Sequence, residues 1–455
     1  MRDARATTPS SPSTSTSSTD PWSAWLRDAN AALVANDVDR ALRPVEPPKH
    51  ASSRLGRKTR AAFVYDAAVE TMRRWESGEG DLGDSVDAIA DEGATTASVR
   101  AFSGNDYLGL ATHARTRRAA ARAAQAFGCG PRSSALVCGY TTMHRALERA
   151  LAELSETEEC ALFPSGFAAN STTLAAVCGA ADVCVFSDAL NHASIVDGCR
   201  LARQSGAEVR TFAHLDYDDL ERQLKACDAP RKVIVSDSLF SMDGDYADVD
   251  RLVKLKREHA CLLVLDEAHA TLVCGDRGGG VAQASGKCAD VDVHVGTLSK
   301  AIGAHGGFVA CSREMKRFLI SRARGHMFST ALPAPVVAAA LESLKVFAEE
   351  PSIRAKLWRN ISRFNAALAR SHLNMKPLVS PIGSLVIGEA QDALAVSASL
   401  LRSGFHVPAI RPPTVAVGSS RLRIALSAAH DDRDIDDLAR TLLSTIKPPV
   451  ARSRL

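Results

Sequence analysis

Lys300 lies in the stretch "VHVGTLSKAIGAHGG", just past an apolar run and just ahead of Gly303, Gly306 and Gly307. Lysines ordinarily occupy solvated faces. This one falls where a strand should end and the chain bend, the position at which α/β sheets present side chains to ligands. An amine held in an apolar strand-end pocket loses its proton more readily and becomes a nucleophile toward aldehydes. A second apolar run, "LLVLDEAHA", emerges into Asp266 and Glu267, with His269 three residues beyond Asp266. Alone, that stretch is equally well read as Asp266 capping a helix and His269 sitting satisfied in a turn. In "LFPSGFAANSTTLAAV" a strand, a Ser-Gly turn and a helix follow one another, so the backbone N–H groups of Gly166 and Phe167 would face an anion. His192 in "FSDALNHASIVDG" and Ser241 in "DSLFSMDGD" mark two further strand ends.

None of these features is specific by itself, but the ordered set is. If the aldehyde is that of pyridoxal 5'-phosphate, every residue acquires a complementary task. Lys300 forms the bond, and Asp266 keeps the pyridinium nitrogen protonated so that the ring can accept electrons. His192 offers a flat face to the ring, and His269 and Ser241 offer donors to the phenolic oxygen. Gly166, Phe167 and Thr297 offer amides and a hydroxyl to the phosphate.

The elements that must position these residues are legible from Phe102 onward. "ECALF", "DVCVFSD", "AEVRTFA", "RKVIVSD", "CLLVLDE" and "VDVHVGT" are short apolar runs bounded by polar or turn residues, and predict strands. "NHASIVDGCRLARQ", "YDDLERQLKAC" and "VDRLVKLKREH" alternate with them at helical periodicity. Such alternation predicts an α/β fold with a large, mainly parallel sheet covered by helices on both faces. Beyond Pro335 a long helical stretch precedes "GSLVIG", "FHVPAI" and "RLRIALS", which predict a smaller C-terminal α/β domain with its own sheet. Upstream, residues 6–19 form a Ser/Thr/Pro tract expected to be disordered. A helix is expected from Pro21 to near Pro44, and an exposed acidic insertion over residues 76–96. The expected division is a leader at 1–22, an N-terminal helix and insertion at 23–100, a large domain at 101–335, a small domain at 336–448 and a tail at 449–455.

Composition narrows the partners. The 455 residues carry a net charge of only +3, and no basic stripe with interleaved aromatics is present, which argues against nucleic acid. No apolar run is long enough for a membrane span, and no signal-peptide core is visible. Eleven cysteines without a C-x-x-C pair point to a reducing compartment and to buried, inert thiols.

Ten quoted stretches, "FSGNDYLGL", "CGYTTMHRALE", "SGFAAN", "LNHAS", "FSMDGD", "LDEAH", "GTLSK", "FSTALP", "AIRPPTV" and "RLRIALSAAH", together resemble the α-oxoamine synthase family of fold-type-I pyridoxal phosphate enzymes. The resemblance spans most of the chain and looks like the biotin-pathway branch in its plant-like form. It implies Lys300 as the cofactor-bonding lysine, Asp266 as the pyridinium partner and His192 as the stacking residue. Ser241, His269 and Thr297 become ring and phosphate contacts. Thr330 would reach the phosphate of the neighbouring subunit, which implies an obligate homodimer with a shared site. Arg43, Thr414 and Arg423 would bind substrate, with Arg423 clamping the amino-acid carboxylate. The implied reaction condenses L-alanine with pimeloyl-CoA, releasing CO2 and CoA and giving 8-amino-7-oxononanoate. The alternatives are a sister synthase such as glycine C-acetyltransferase, 5-aminolevulinate synthase or serine palmitoyltransferase, or a catalytically silent partner subunit. The last is disfavoured because a scaffold needs none of Lys300, Asp266, His192 and His269. Two positions depart from the bacterial pattern. Arg132 stands in a segment where the family is glycine-rich, and Ala270 follows His269 where glycine is common. Finally, the chain ends Ser453-Arg454-Leu455, a tripeptide of the peroxisomal S-K-L type, which predicts a peroxisomal address over a cytosolic one.

Overall fold

A computed structural model describes residues 21–35, 64–68, 96–369 and 371–446. Arg43, residues 6–19, most of the acidic insertion and the terminal tripeptide lie outside them. The predicted first helix is present as α1 (Pro21–Ala35), with Trp25 and Leu26 exposed.

Seven strands form the main sheet: β3 (Glu159–Phe163), β4 (Val183–Asp188), β5 (Glu208–Phe212), β6 (Arg231–Asp237), β7 (Cys261–Asp266), β8 (Val293–Thr297) and β9 (Gly307–Cys311). Their spatial order is β3-β9-β8-β7-β6-β4-β5. The pairs from β8 through β5 are parallel, whereas β9 runs antiparallel to both β3 and β8. Strand β9 was not among the predicted runs. The other six were; β4, β7 and β8 are almost wholly buried because both faces of the sheet are covered there, whereas β5 at the sheet edge is mostly polar and partly exposed. Side-chain alternation divides each strand between two cores. Along β6, Val233 and Val235 join one cluster while Ile234, between them, joins the other.

Helices α2 (Ala114–Phe127), α3 (Thr142–Leu154), α4 (Gly166–Cys178), α5 (Ala193–Gln204), α6 (Tyr217–Lys225) and α7 (Val249–His259) accompany these strands. Several begin where a side chain satisfies an orphan N–H group: Ser165 accepts from Ala168, Asp216 from Asp219 and Asp248 from Arg251. Such caps fix where each strand-to-helix turn lies, and therefore where the site residues sit.

The second lobe draws on both ends of the described chain. Strands β10 (Ile382–Gly388), β12 (Ala409–Ile410) and β13 (Ser420–Ala425) make one antiparallel sheet in the order β10-β13-β12. A further sheet joins β1 (Val64–Ala68) and β2 (Thr96–Ala101) to β11 (Phe405–His406). The stretch "FHVPAI" thus forms two short strands on different sheets rather than the single one expected. Pro408 lacks an N–H and stands between them, so one continuous ladder cannot form there. Among the described residues no helix is long and apolar enough to cross a membrane.

Candidate active site

The turn that carries Lys300 is dictated by β8 and β9. Thr297 lies opposite Gly307 in their register, so residues 298–306 must leave the sheet and return beside it. Leu298 N–H donates to Gly306 O at 2.9 Å, Ala304 N–H to Leu298 O at 2.8 Å and Gly303 N–H to Lys300 O at 2.8 Å. Gly303 has φ +71°, and a Cβ there would stand 2.2 Å from Ala111 N, so a side chain has no room. The glycines after Lys300 therefore serve to fold the lysine back over the strand end. Burial pulls its amine down to about 8, against the opposing pull of the Asp266 and Asp237 carboxyls; the nearby Arg423 guanidinium adds to the depression.

Asp266 ends β7, in register with Asp237 on β6 and Val295 on β8. Its Oδ2 accepts from Asn170 Nδ2 at 2.6 Å, and its Oδ1 from Ala268 N–H at 2.8 Å. Asn170 lies one helical turn after Gly166 on α4, and its Nδ2 also donates to Ser194 Oγ at 3.0 Å. Ser194 in turn meets His192 Nδ1 at 2.7 Å, so one chain of hydrogen bonds links His192 to Asp266. Burial pulls His192 below the usual imidazole range, and the Phe167 ring stands edge-on to it at 6.5 Å. His269 is held well below that range by burial and by the positive charges of Lys300 and Arg423, which keeps it neutral. The hydroxyl of fully buried Tyr107 lies 2.7 Å from His269 Nδ1. With Tyr107 donating, the imidazole proton sits on Nε2 as a donor. Asp237 is pushed well above the carboxylate range by burial and by Asp266 beside it.

At the other end of the site, α4 starts at Gly166. Ser165 Oγ takes the N–H of Ala168, which leaves those of Gly166 and Phe167 without an intrahelical acceptor. A Cβ on Gly166 would lie 3.1 Å from Thr297 Cβ, a tight contact, so glycine lets the helix start pack against β8 without displacing Thr297. Thr297 Oγ1 meets Ser299 Oγ at 2.7 Å and donates to Gly306 O at 2.9 Å. Two open N–H groups at a helix start, a depressed lysine amine, a buried carboxylate and a neutral imidazole face fit pyridoxal phosphate. The Asn170 Oδ1 atom behind Asp266 is buried and has no hydrogen-bond partner.

Arg423 arrives from β13 of the second lobe. Its Nε donates to Ser241 O at 2.6 Å and its Nη1 to Asn105 Oδ1 at 3.1 Å. The Ser241 carbonyl therefore supports Arg423, a role in addition to the hydroxyl donor that the sequence suggested. The structure thus gathers Lys300, Asp266, His192, His269, Ser241, Arg423, Gly166, Phe167 and Thr297 around one set of strand ends. Two predicted residues stand apart from this cluster. Thr330 is exposed and bridges Ser134, and Thr414 is exposed on a turn where its N–H donates to Arg411 O at 3.1 Å. Arg43 lies outside the described residues. Arg132 adopts φ +69°, the left-handed conformation a glycine takes without strain, just before a π-helical turn over Ala135–Gly139. Ala270 is fully buried behind Glu267.

Sequence reasoning did not single out Asn170, Tyr107, Asn105 or Asp237. A signal existed for the first: Asn170 is four residues from Gly166, and that spacing places both on one helical face.

Comparison with known proteins gives a consistent set of likenesses. Residues 98–442 match the family described as aminotransferase class I and II. An 8-amino-7-oxononanoate synthase of Arabidopsis thaliana is 41% identical over 460 residues, covering 93% of this chain and 95% of the relative. One from Anaeromyxobacter dehalogenans is 47% identical over 352 residues, covering 77% and 87%. Among solved structures, a serine palmitoyltransferase of Sphingomonas wittichii is similar with a TM-score of 0.74 at 30% identity, covering 77% of this chain and 88% of that one. The 8-amino-7-oxononanoate synthase of Francisella tularensis is similar with a TM-score of 0.64 at 26% identity, covering 76% and 97%.

Proposed function

Since the chain belongs to the aminotransferase class I and II family and, within it, to the α-oxoamine synthases that use pyridoxal phosphate, we propose that it condenses L-alanine with pimeloyl-CoA to give 8-amino-7-oxononanoate, CoA and CO2. The observation that carries this reading is the convergence of Lys300, Asp266, His192, His269 and Arg423 in a chain whose curated relatives, at 41% and 47% identity, are named for that product.

When bound, pyridoxal phosphate supplies an electron sink for the charge that develops at the amino-acid Cα. The chain's own residues perform the rest. Lys300 Nζ, neutral above about pH 8, takes the Cα proton and later returns one. Asp266, its two oxygens fixed by Asn170 and the Ala268 amide, holds a proton on the ring nitrogen. His192 covers one ring face, and His269 donates from Nε2 to the phenolic oxygen. Gly166, Phe167 and Thr297 hold the phosphate. Arg423, anchored by Ser241 O and Asn105, receives the carboxylate of the amino acid and orients its Cα toward Lys300. Arg43 and Thr414 are assigned to the substrate by the resemblance alone, Thr414 from an exposed turn apart from this cluster and Arg43 from outside the described residues.

We also infer a homodimer. Leu136, Val137 and Phe328 are large apolar side chains left 53%, 75% and 66% exposed, flanking the bridge between Ser134 and Thr330. A second copy covering them would bring its Thr330 toward the first copy's phosphate site. Ser453-Arg454-Leu455 supports a peroxisomal destination.

The decisive experiment offers alanine, glycine and serine, each with acetyl-, succinyl-, pimeloyl- and palmitoyl-CoA. Turnover confined to alanine with pimeloyl-CoA supports the reading, and preference for another pair replaces it with a sister activity. Sedimentation of the purified protein tests the dimer. An N-terminal fluorescent fusion with and without residues 453–455 tests the address, which fails if both forms are equally diffuse.

A further inference from the structure

We propose that His214 is a positioning residue: an ionic tie that sets the loop bearing His192 against the turn bearing Ser241, and through that turn aligns Arg423. The proposal rests on the reading above, in that His192 and Arg423 are given the roles stated there.

Three strand ends meet at this imidazole. His214 itself follows β5, two residues past Phe212. Its Nδ1 lies 2.9 Å from Asp188 Oδ1, at the end of β4, and its Nε2 lies 3.1 Å from Asp245 Oδ2, beyond the end of β6. Asp188 is almost fully buried and is committed to the same junction by two more bonds: it accepts from Leu190 N–H at 2.8 Å and from Leu215 N–H at 2.9 Å. The first of these shapes the link from Asp188 through Ala189, Leu190 and Asn191 to His192. Across the imidazole, Asp245 closes the turn that begins at Phe240, where Phe240 N–H donates to Asp245 O at 3.0 Å. Phe240 packs edge-on against His214 at 4.4 Å, so the ring is held in plane as well as at both nitrogens. Ser241, the next residue, gives its carbonyl to Arg423 Nε.

The far side of that turn cannot relax freely. Gly244 has φ +75°, and a Cβ there would stand 2.4 Å from Ile382 O of β10. Asp243 is ion-paired with Arg421 on β13. The turn is therefore pinned to the second lobe on one side and to His214 on the other. Bonding both carboxylates requires donors on both nitrogens, which only the protonated ring has. Burial is the largest single influence and acts against that charge, but the hydrogen bonds and the negative charges of Asp188 and Asp245 together outweigh it and raise His214 to about 9. None of the contacts described for His214 is with a residue assigned to the cofactor, so its influence is exerted through the two loops.

The test uses the cofactor-loaded protein. His214→Gln and Asp245→Asn are compared with wild type in KM for the amino acid, kcat, the visible circular dichroism of the bound cofactor and Tm. Gln can satisfy one carboxylate but not both, and Asn keeps shape while removing one charge. The expected result is a rise in amino-acid KM of roughly tenfold, the scale of one lost charge-assisted hydrogen bond, with a smaller change in kcat. A weakened dichroic band should accompany it, because His192 no longer holds the ring in a single orientation. The double variant should be no worse than His214→Gln alone, since both changes open one tie. Wild-type KM and dichroism in the single variants, or a change confined to Tm, would overturn the proposal. If His214→Gln does not fold, Asp245→Asn decides alone, being half-exposed and isosteric. The dichroism separates this proposal from the functional reading: if wild type fails to use alanine and pimeloyl-CoA but the band still collapses in the variants, only the substrate assignment falls.

Discussion

The two ends of the seven-stranded sheet carry similar residue types and put them to opposite uses. At the amino ends, one row of the register runs Glu208, Cys184, Lys232, Cys261 across β5, β4, β6 and β7, with Cys227 alongside. The ligand atoms of Cys184, Glu208 and Cys227 lie within 4.8 Å of one another. Yet burial pushes the Cys184 thiol up to about 12 and Cys261 to about 11, and Glu208 is already paired with Arg210 at 2.6 Å. The Cys184 and Cys261 thiols therefore stay protonated, and the Glu208 carboxylate is committed to Arg210. At the carboxyl ends, burial acts on Lys300, Asp237, His192 and His269 together, and the outcome is an amine that loses its proton near pH 8 beside a carboxylate, Asp266, fixed by Asn170 and the Ala268 amide. The difference lies in the connections. Loops there are shaped by Gly303 and Gly306 at positive φ, and α4 directs its first N–H groups inward. Residue type alone did not distinguish the two ends; the direction of the strands did.

The comparison breaks most completely at Lys300. Lys300→Ala should lower turnover roughly a thousandfold or more and abolish the yellow colour of the loaded protein. Near-normal turnover would remove Lys300 from its role. Asp266→Asn comes next, with an expected loss of about a hundredfold to a thousandfold in kcat and far less in cofactor affinity, since the substitution keeps shape but deletes charge. Steady-state rates set against a cofactor titration separate the two effects.

Asn170→Ala should cost less, on the order of tenfold in kcat, because Asp266 keeps its bond from Ala268 while losing the one from Asn170. An effect as large as that of Asp266→Asn would mean that Asn170 touches the cofactor itself. The pH dependence is sharper in sign than in size. The Lys300 amine is charged below its folded value of about 8 and neutral above it, well under the 10.5 of a free lysine. The rate at which cofactor-free protein becomes yellow should therefore rise as pH rises through about 8. Stopped-flow absorbance between pH 6.5 and 9.5 checks this, and a rate flat until pH 10 would contradict it. At the other end of the sheet, Cys184→Ala should change kcat less than twofold and cost only about 1 kcal/mol of stability, from one buried sulfur. A marked loss of activity would show that the amino-end cluster is functional after all.

Much of the fold was readable because it is local. Buried parallel strands must be apolar runs, and Val249–His259 shows helical periodicity in its own residues, with Asp248 marking its start. Lys300 and Asp266 were readable for the same reason, since each follows an apolar strand and precedes a turn. Strand β9 was not picked out. "GFVAC" is only five residues long and follows a glycine-rich stretch whose function as a return connection is visible only once β8 is beside it. The two-residue strands at Phe405 and Ala409 had no pattern of their own.

The sequence by itself determined which segments become strands and helices and which residue types stand at strand ends, because those depend on side-chain periodicity and caps within a dozen residues. Tertiary structure alone decided how those ends work together. Asn170 reaches Asp266 across 96 residues, Tyr107 reaches His269 across 162, and Arg423 reaches Ser241 across 182. His214 meets carboxylates on two different loops. The protonation of Lys300, Asp237 and His269 likewise depends on burial by segments distant in the chain. A hydrogen-bond partner and a dielectric environment are properties of neighbours in space, and only packing chooses those neighbours.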